Sequence, residues 1–146
     1  MITLEYDQLS ETDPEYCELL NNISLALGKP VYPFGSRYIL GPDYERGDTD
    51  VLVDATDISE LFGEHTPSDS CIEKVLLMGY RPHISPGYAG HHISSYRNGD
   101  INLVLMTDRW EFIARAACVE LCRTQGITDK ETRREIHKLI ADVERV

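Results

Sequence analysis

Three aspartates and a Gly-Ser turn are the residues of this chain best equipped for chemistry. Gly35-Ser36 leaves the apolar run Val31–Phe34 and is followed, after the spacer 37–47, by Asp48-Thr49-Asp50 at the head of a second apolar run. A Gly-Ser turn can offer backbone N–H groups, and Ser36 its hydroxyl, to phosphate oxygens. Arg37 beside it can neutralise phosphate charge. Asp48 and Asp50, two residues apart on an extended segment, point to one face, where their carboxylates repel each other and attract divalent cations. Two such ions about 3.5–4 Å apart would clamp the attacking and leaving oxygens of an in-line displacement. Asp100 follows the Asn98-Gly99 turn, with Ile101, Leu103 and Leu105 on the opposite face of its strand. If that strand lies beside Thr49–Asp54, Asp100 becomes a third carboxylate, acting as metal ligand or general base. Asn102 shares its face and supports it. Each piece also has a plain reading, since Gly-Asp-Thr-Asp is a polar loop feeding a strand and Asn-Gly-Asp is ordinary turn chemistry. Their combination points to phosphoryl or nucleotidyl transfer.

The elements around these residues follow from periodicity and capping. Thr12-Asp13-Pro14-Glu15 opens a helix that carries Tyr16, Leu19 or Leu20, Ile23 and Leu27 inward and stops at Gly28. Val31–Phe34 is a short buried strand, and Pro33 places it at an edge or a bulge. A turn and loop with Gly41, Pro42 and Gly47 lead to a strand over 49–55. Asp54 is in phase with Asp48 and Asp50 but further along, as a surface or capping residue. Asp57 begins a helix, and a second helix runs over 68–78 with Gly79 as its stop. The segments 80–84 and 92–97 are extended, and Asn98-Gly99 turns the latter into a hairpin with 100–106. Thr107-Asp108 caps a helix whose stripe is Trp110, Ile113, Ala117 and Leu121, ended by Gly126. Thr128-Asp129-Lys130-Glu131 caps a last helix that turns Ile136, Leu139, Ile140 and Val143 inward. The result is one α/β domain over 1–146, with a mixed sheet flanked by helices over about 14–106 and a helical C-terminal third over 107–145.

The order helix, strand, Gly-Ser, spacer, Asp-x-Asp strand and later Asp on a strand resembles the nucleotidyltransferase superfamily typified by DNA polymerase beta. Phe34-Gly35-Ser36, Asp48-Thr49-Asp50 and Asp100-Ile101-Asn102-Leu103 carry the resemblance, over roughly 31–106. It is closer to small stand-alone members, including phage and prophage versions, than to a polymerase. The resemblance implies that Gly35 and Ser36 hold a nucleoside triphosphate. It also implies that Asp48 and Asp50 bind two Mg2+ ions, or Mn2+ in their place, with Asp100 completing the set. The spacer departs from the family in carrying the bulky Tyr38-Ile39-Leu40 and the pair Gly41-Pro42.

Composition narrows the substrate. At 146 residues and a formal net charge of −11, the chain is one acidic domain. The basic residues of its last helix, Arg133, Arg134 and Lys138, are interleaved with acids, so a long nucleic acid is disfavoured and a protein or small-molecule acceptor is favoured. Cys17, Cys71, Cys118 and Cys122 show no CxxC pair or secreted-domain spacing. Cys118 and Cys122, one helical turn apart, could suit a metal, but their apolar neighbours favour buried free thiols. The set reads as that of a cytoplasmic protein, a host cytoplasm if the gene is a phage's. No run is long enough to span a membrane. Further phosphate partners come from Arg46, Lys74, Arg97 and Arg109. His91-His92 reads as structural or pocket-lining, and His65 and His83 have no role. The competing function is a catalytically idle copy of the fold, used as an acidic binding or inhibitory module.

Overall fold

The computed structural model describes residues 6–41, 48–55, 69–83 and 93–144. Arg46, the helix expected from Asp57, His65 and His91-His92 lie outside them. In chain order the elements are α1 (Tyr6–Thr12), α2 (Pro14–Leu27), β1 (Val31–Phe34), α3 (Gly35–Leu40), β2 (Thr49–Asp54), α4 (Asp69–Leu77), β3 (Arg81–His83), β4 (Ile93–Asn98), β5 (Ile101–Met106), α5 (Arg109–Gln125) and α6 (Lys130–Glu144).

The five strands form one mixed sheet in the order β1-β2-β5-β4-β3. β2 runs parallel to β5, and the other neighbouring pairs are antiparallel. The two central strands are covered on both faces: Val51, Leu52, Val53 and Leu103 through Met106 are fully buried. That explains their near-continuous apolar sequence, interrupted only where a polar residue has a task. β1 is an edge strand, which is where Pro33 can sit without breaking a central ladder.

α2 starts as its sequence dictates. The Asp13 side chain caps it by accepting from the Tyr16 N–H, Pro14 occupies the first turn, and Gly28 ends it in the left-handed conformation at φ 66°. α1 precedes it and was not expected; it is a single short element whose Leu9 enters the core against α2. The hairpin is displaced by one residue from its expected position. Asn98 pairs with Ile101, so Gly99-Asp100 is the turn and Asp100 is not the first strand residue. The positive φ of 58° falls on Gly99 at the first central position, where a two-residue turn accepts glycine.

The helix α5 is rotated from its expected stripe. α5 buries Glu111, Ala114, Ala116, Cys118, Val119 and Cys122, and leaves Leu121 41% exposed. Small side chains allow this face to approach α3 and α6 at once, and Glu111 is drawn in by partners on two helices. On α6, Ile136 and Ile140 are half-buried as expected, whereas Leu139 is exposed. All four cysteines are free thiols, with Cys71, Cys118 and Cys122 buried. Among the described residues no helix is long and apolar enough to cross a membrane.

Candidate active site

Register decides which side chains meet. Phe34 pairs with Asp50, Asp50 with Asn102, Asn102 with Arg97, and Arg97 with Arg81, giving one cross-strand row over all five strands. Paired residues share a face, so Asp50, Asn102 and Arg97 project together, and by alternation so do Asp48 and Ser95. An edge-on contact between Tyr32 and Phe112, with centroids 5.4 Å apart, places α5 on this same face at the β1 end. α3 is joined there to α5, because the Tyr38 hydroxyl donates to the Glu120 carboxylate and Arg123 stacks 4.2 Å over the Tyr38 ring.

The Gly-Ser turn is laid directly on Asp50. Gly35 has φ 73°, and a Cβ built on it would fall 2.2 Å from Asp50 Oδ2. No residue with a side chain fits there without displacing the carboxylate. Tyr16 fixes the approach from beneath. Its hydroxyl accepts from the Phe34 N–H at 2.9 Å and donates to the carbonyl of Asp50, so the paired residues Phe34 and Asp50 are bridged by a side chain at the mouth of the strand pair. Burial and the nearby Asp50 charge hold the Tyr16 phenol far above its ordinary range, so it stays a neutral donor. α3 has no side-chain cap at its start.

Asp50 is the electrostatic centre. Burial pushes its carboxyl above the usual carboxylate range and Asp48 adds to the push. The Asn102 amide, Arg97 and Lys130 at the start of α6 pull the other way. Asn102 Nδ2 donates to Asp50 Oδ1 at 3.0 Å, while Asn102 Oδ1 accepts from Ser95 Oγ. Asp48 is more exposed and is held by Arg97, at 3.4 and 3.3 Å.

The structure thus brings Gly35 to Asp50 and keeps Asp48 adjacent on the strand. Asp100 stands elsewhere than beside Asp50. It is exposed in the hairpin turn, where its carbonyl accepts from the Thr49 N–H at 2.7 Å, one step ahead of the paired segment and level with Asp48. The neighbour of Asp50 on β5 is Asn102. Arg37 is also committed elsewhere: Nε and Nη2 bind the Asp13 carboxylate at 2.8 and 3.0 Å, and Nη1 donates to Thr49 Oγ1 at 3.0 Å. Ser36 is half-buried beside Gly35. Tyr16 and Asn102 are the contributors that sequence reasoning valued too little. Tyr16 reads as one more apolar position of a helix stripe, whereas Asn102, a polar residue inside an otherwise apolar strand, was the available signal.

A divalent cation suits part of this donor set. Asp48 and Asp50 are hard oxygen donors on one face, and the buried Asp50 carboxylate is disfavoured by its surroundings in a way a cation would relieve. A third carboxylate does not join them: among the described residues no group of three or more His, Cys, Asp and Glu side chains is placed to hold a metal. Compared with family models, curated proteins and solved structures, the chain matches none of them.

Proposed function

We propose that this protein is a nucleotidyltransferase that moves a nucleoside monophosphate from a nucleoside triphosphate to a hydroxyl of a protein or small-molecule acceptor. The observation that carries the reading is the seating of side-chain-free Gly35 against Asp50, which joins a phosphate-holding turn to a metal-binding carboxylate. The strand β2 lies between β1 and β5, parallel to β5, so Asp50 stands between Phe34 and Asn102 beside the Gly-Ser turn.

In this reading the uncapped backbone at Gly35-Ser36 and the Ser36 hydroxyl hold the terminal phosphates. Asp48 and Asp50 would hold Mg2+ or Mn2+, which when bound neutralises triphosphate charge and acidifies the acceptor hydroxyl. Asn102 and Tyr16 fix the orientation of the Asp50 side chain and backbone. The acceptor oxygen attacks the α-phosphorus as the bond to the β-phosphate bridging oxygen breaks, and pyrophosphate leaves. Asp100, exposed beside Asp48, takes the hydroxyl proton.

Asn102 favours a second reading. An amide stands beside Asp50 where a carboxylate would supply a third charge, and a two-carboxylate site suits binding without transfer. One experiment addresses both. Magnesium with a mixture of the four ribonucleoside triphosphates should raise the Tm of the wild type by several degrees and leave Asp48→Asn/Asp50→Asn unmoved. Transfer of label from α-labelled triphosphates to a molecule in a cell lysate supports the enzyme, and a magnesium-dependent Tm rise without transfer supports an idle copy of the site. No rise with any nucleotide overturns the enzyme and favours the acidic binding or inhibitory module.

A further inference from the structure

The basic residues on and around the sheet have different occupations. Arg37 is spent on Asp13 and Thr49. Lys74 Nζ lies 3.5 Å from the Leu27 carbonyl, and Arg81 Nη1 donates to the carbonyls of Leu76 and Tyr80. Arg97 alone among these reaches a site carboxylate. Its grip on Asp48 is loose, 3.3 Å at the shortest against 2.8 Å for Arg37 on Asp13, and both partners are partly exposed. Its Nε is buried without a hydrogen-bond partner. A guanidinium is a planar fork suited to anionic oxygens and always charged. Here it stands where a cation belongs, on the more exposed of two adjacent carboxylates, with donor capacity unused.

We propose that Arg97 is the counter-ion that Asp48 exchanges for a divalent cation, and that the released guanidinium then takes a phosphate oxygen of the incoming triphosphate. The proposal rests on the nucleotide-site reading above. Before nucleotide arrives, Arg97 opposes a lone metal ion twice, by occupying its ligand and by repelling its charge. Once a triphosphate is present the same guanidinium gains a stronger anionic partner and Asp48 is freed. Metal and triphosphate therefore assist each other's binding, and such coupling is reciprocal. The site would load with the two together and discriminate against the bare ion.

The test measures binding, in wild type, Arg97→Gln and Asp48→Asn, of manganese alone by electron paramagnetic resonance of the free ion. It also measures binding of the manganese complexes of the four α,β-methylene ribonucleoside triphosphates by calorimetry. Loss of an exposed competing ion pair should let Arg97→Gln bind bare manganese up to about fivefold tighter. Loss of a charge-assisted contact should make it bind the triphosphate complex about tenfold weaker. Asp48→Asn should weaken both. Opposite signs in Arg97→Gln are the signature, since a merely structural role moves both the same way. Any other pattern in Arg97→Gln, with Asp48→Asn still damaging, overturns the role of Arg97 alone. Unchanged binding of both in Asp48→Asn overturns the nucleotide-site reading and this proposal with it. If Arg97→Gln does not fold by circular dichroism, Arg97→Lys serves. It keeps the charge but not the fork, so the triphosphate complex should weaken while bare manganese stays within about twofold of wild type; no weakening overturns the role.

Discussion

At the residue scale, the site is defined by where a side chain is missing. Gly35 combines a left-handed φ of 73° with a neighbour, Asp50, already inside the volume of a Cβ. Gly35→Ala should therefore do more than strain the backbone, which alone costs about 1–2 kcal/mol. It should push the Asp50 carboxylate aside and abolish the magnesium-dependent thermal response to nucleoside triphosphates, read in the same assay as the wild type. Asp50 itself carries a penalty in the metal-free protein. Its folded carboxyl is raised by burial and by Asp48. A carboxyl raised on folding contributes stability only at acid pH and loses it as pH rises through the folded value. Asp50→Asn, which keeps the shape and removes the charge, should then have a higher Tm than wild type at neutral pH without metal, and no nucleotide response. A lower Tm would sink this account of Asp50.

At the element scale, α5 ties the C-terminal third to the site. Glu111 is buried at the α5–α6 contact, with Arg115 Nε at 2.7 Å and His137 Nε2 at 3.3 Å from the same carboxylate oxygen. Burial pushes its carboxyl up, yet His137 and Arg115 outweigh it and hold the carboxyl down at about 2. A carboxyl lowered on folding contributes stability above its unfolded value of about 4.5, and that contribution is lost as pH falls from there toward about 2. The contribution is on the order of 3 kcal/mol. Glu111→Gln should remove most of the acid sensitivity over that window in denaturant titrations at pH 6 and pH 3. It should also loosen α6, raising amide exchange over 130–140. At the other end of α5, Glu120 and Arg123 hold Tyr38, so α3 and its preceding Gly-Ser turn are braced by a helix far away in sequence. Helix existence was readable from caps: Asp13, Asp108 and the glycines at 28 and 126 stand where their sequences put them. The buried face of α5 was not, because Ala, Cys and a paired Glu form a packing face that a search for large apolar residues passes over.

At the scale of the whole molecule, the proposed acceptor class rests on charge. A net charge of −11 opposes long polyanions, and Arg37 and Arg97 near the site are already paired. The protein should pass through heparin at low ionic strength without retention and bind an anion exchanger. Retention on heparin that falls steeply with salt would instead point to a nucleic-acid acceptor. The sequence by itself left β1 at an edge or a bulge and missed α1, but determined the α/β class, the starts and stops of α2 and α5, and the order of a Gly-Ser turn before Asp48 and Asp50. All of these depend on local propensity, capping and residue spacing, which act over a few neighbours. Tertiary structure alone decided that Gly35 rests on Asp50, that the turn shift leaves Asp100 exposed, and that Asn102 is the partner of Asp50. It also decided that Arg37 belongs to Asp13 while Arg97 holds Asp48. These are questions of strand register and of which charge reaches which, and a one-residue slip changes every answer.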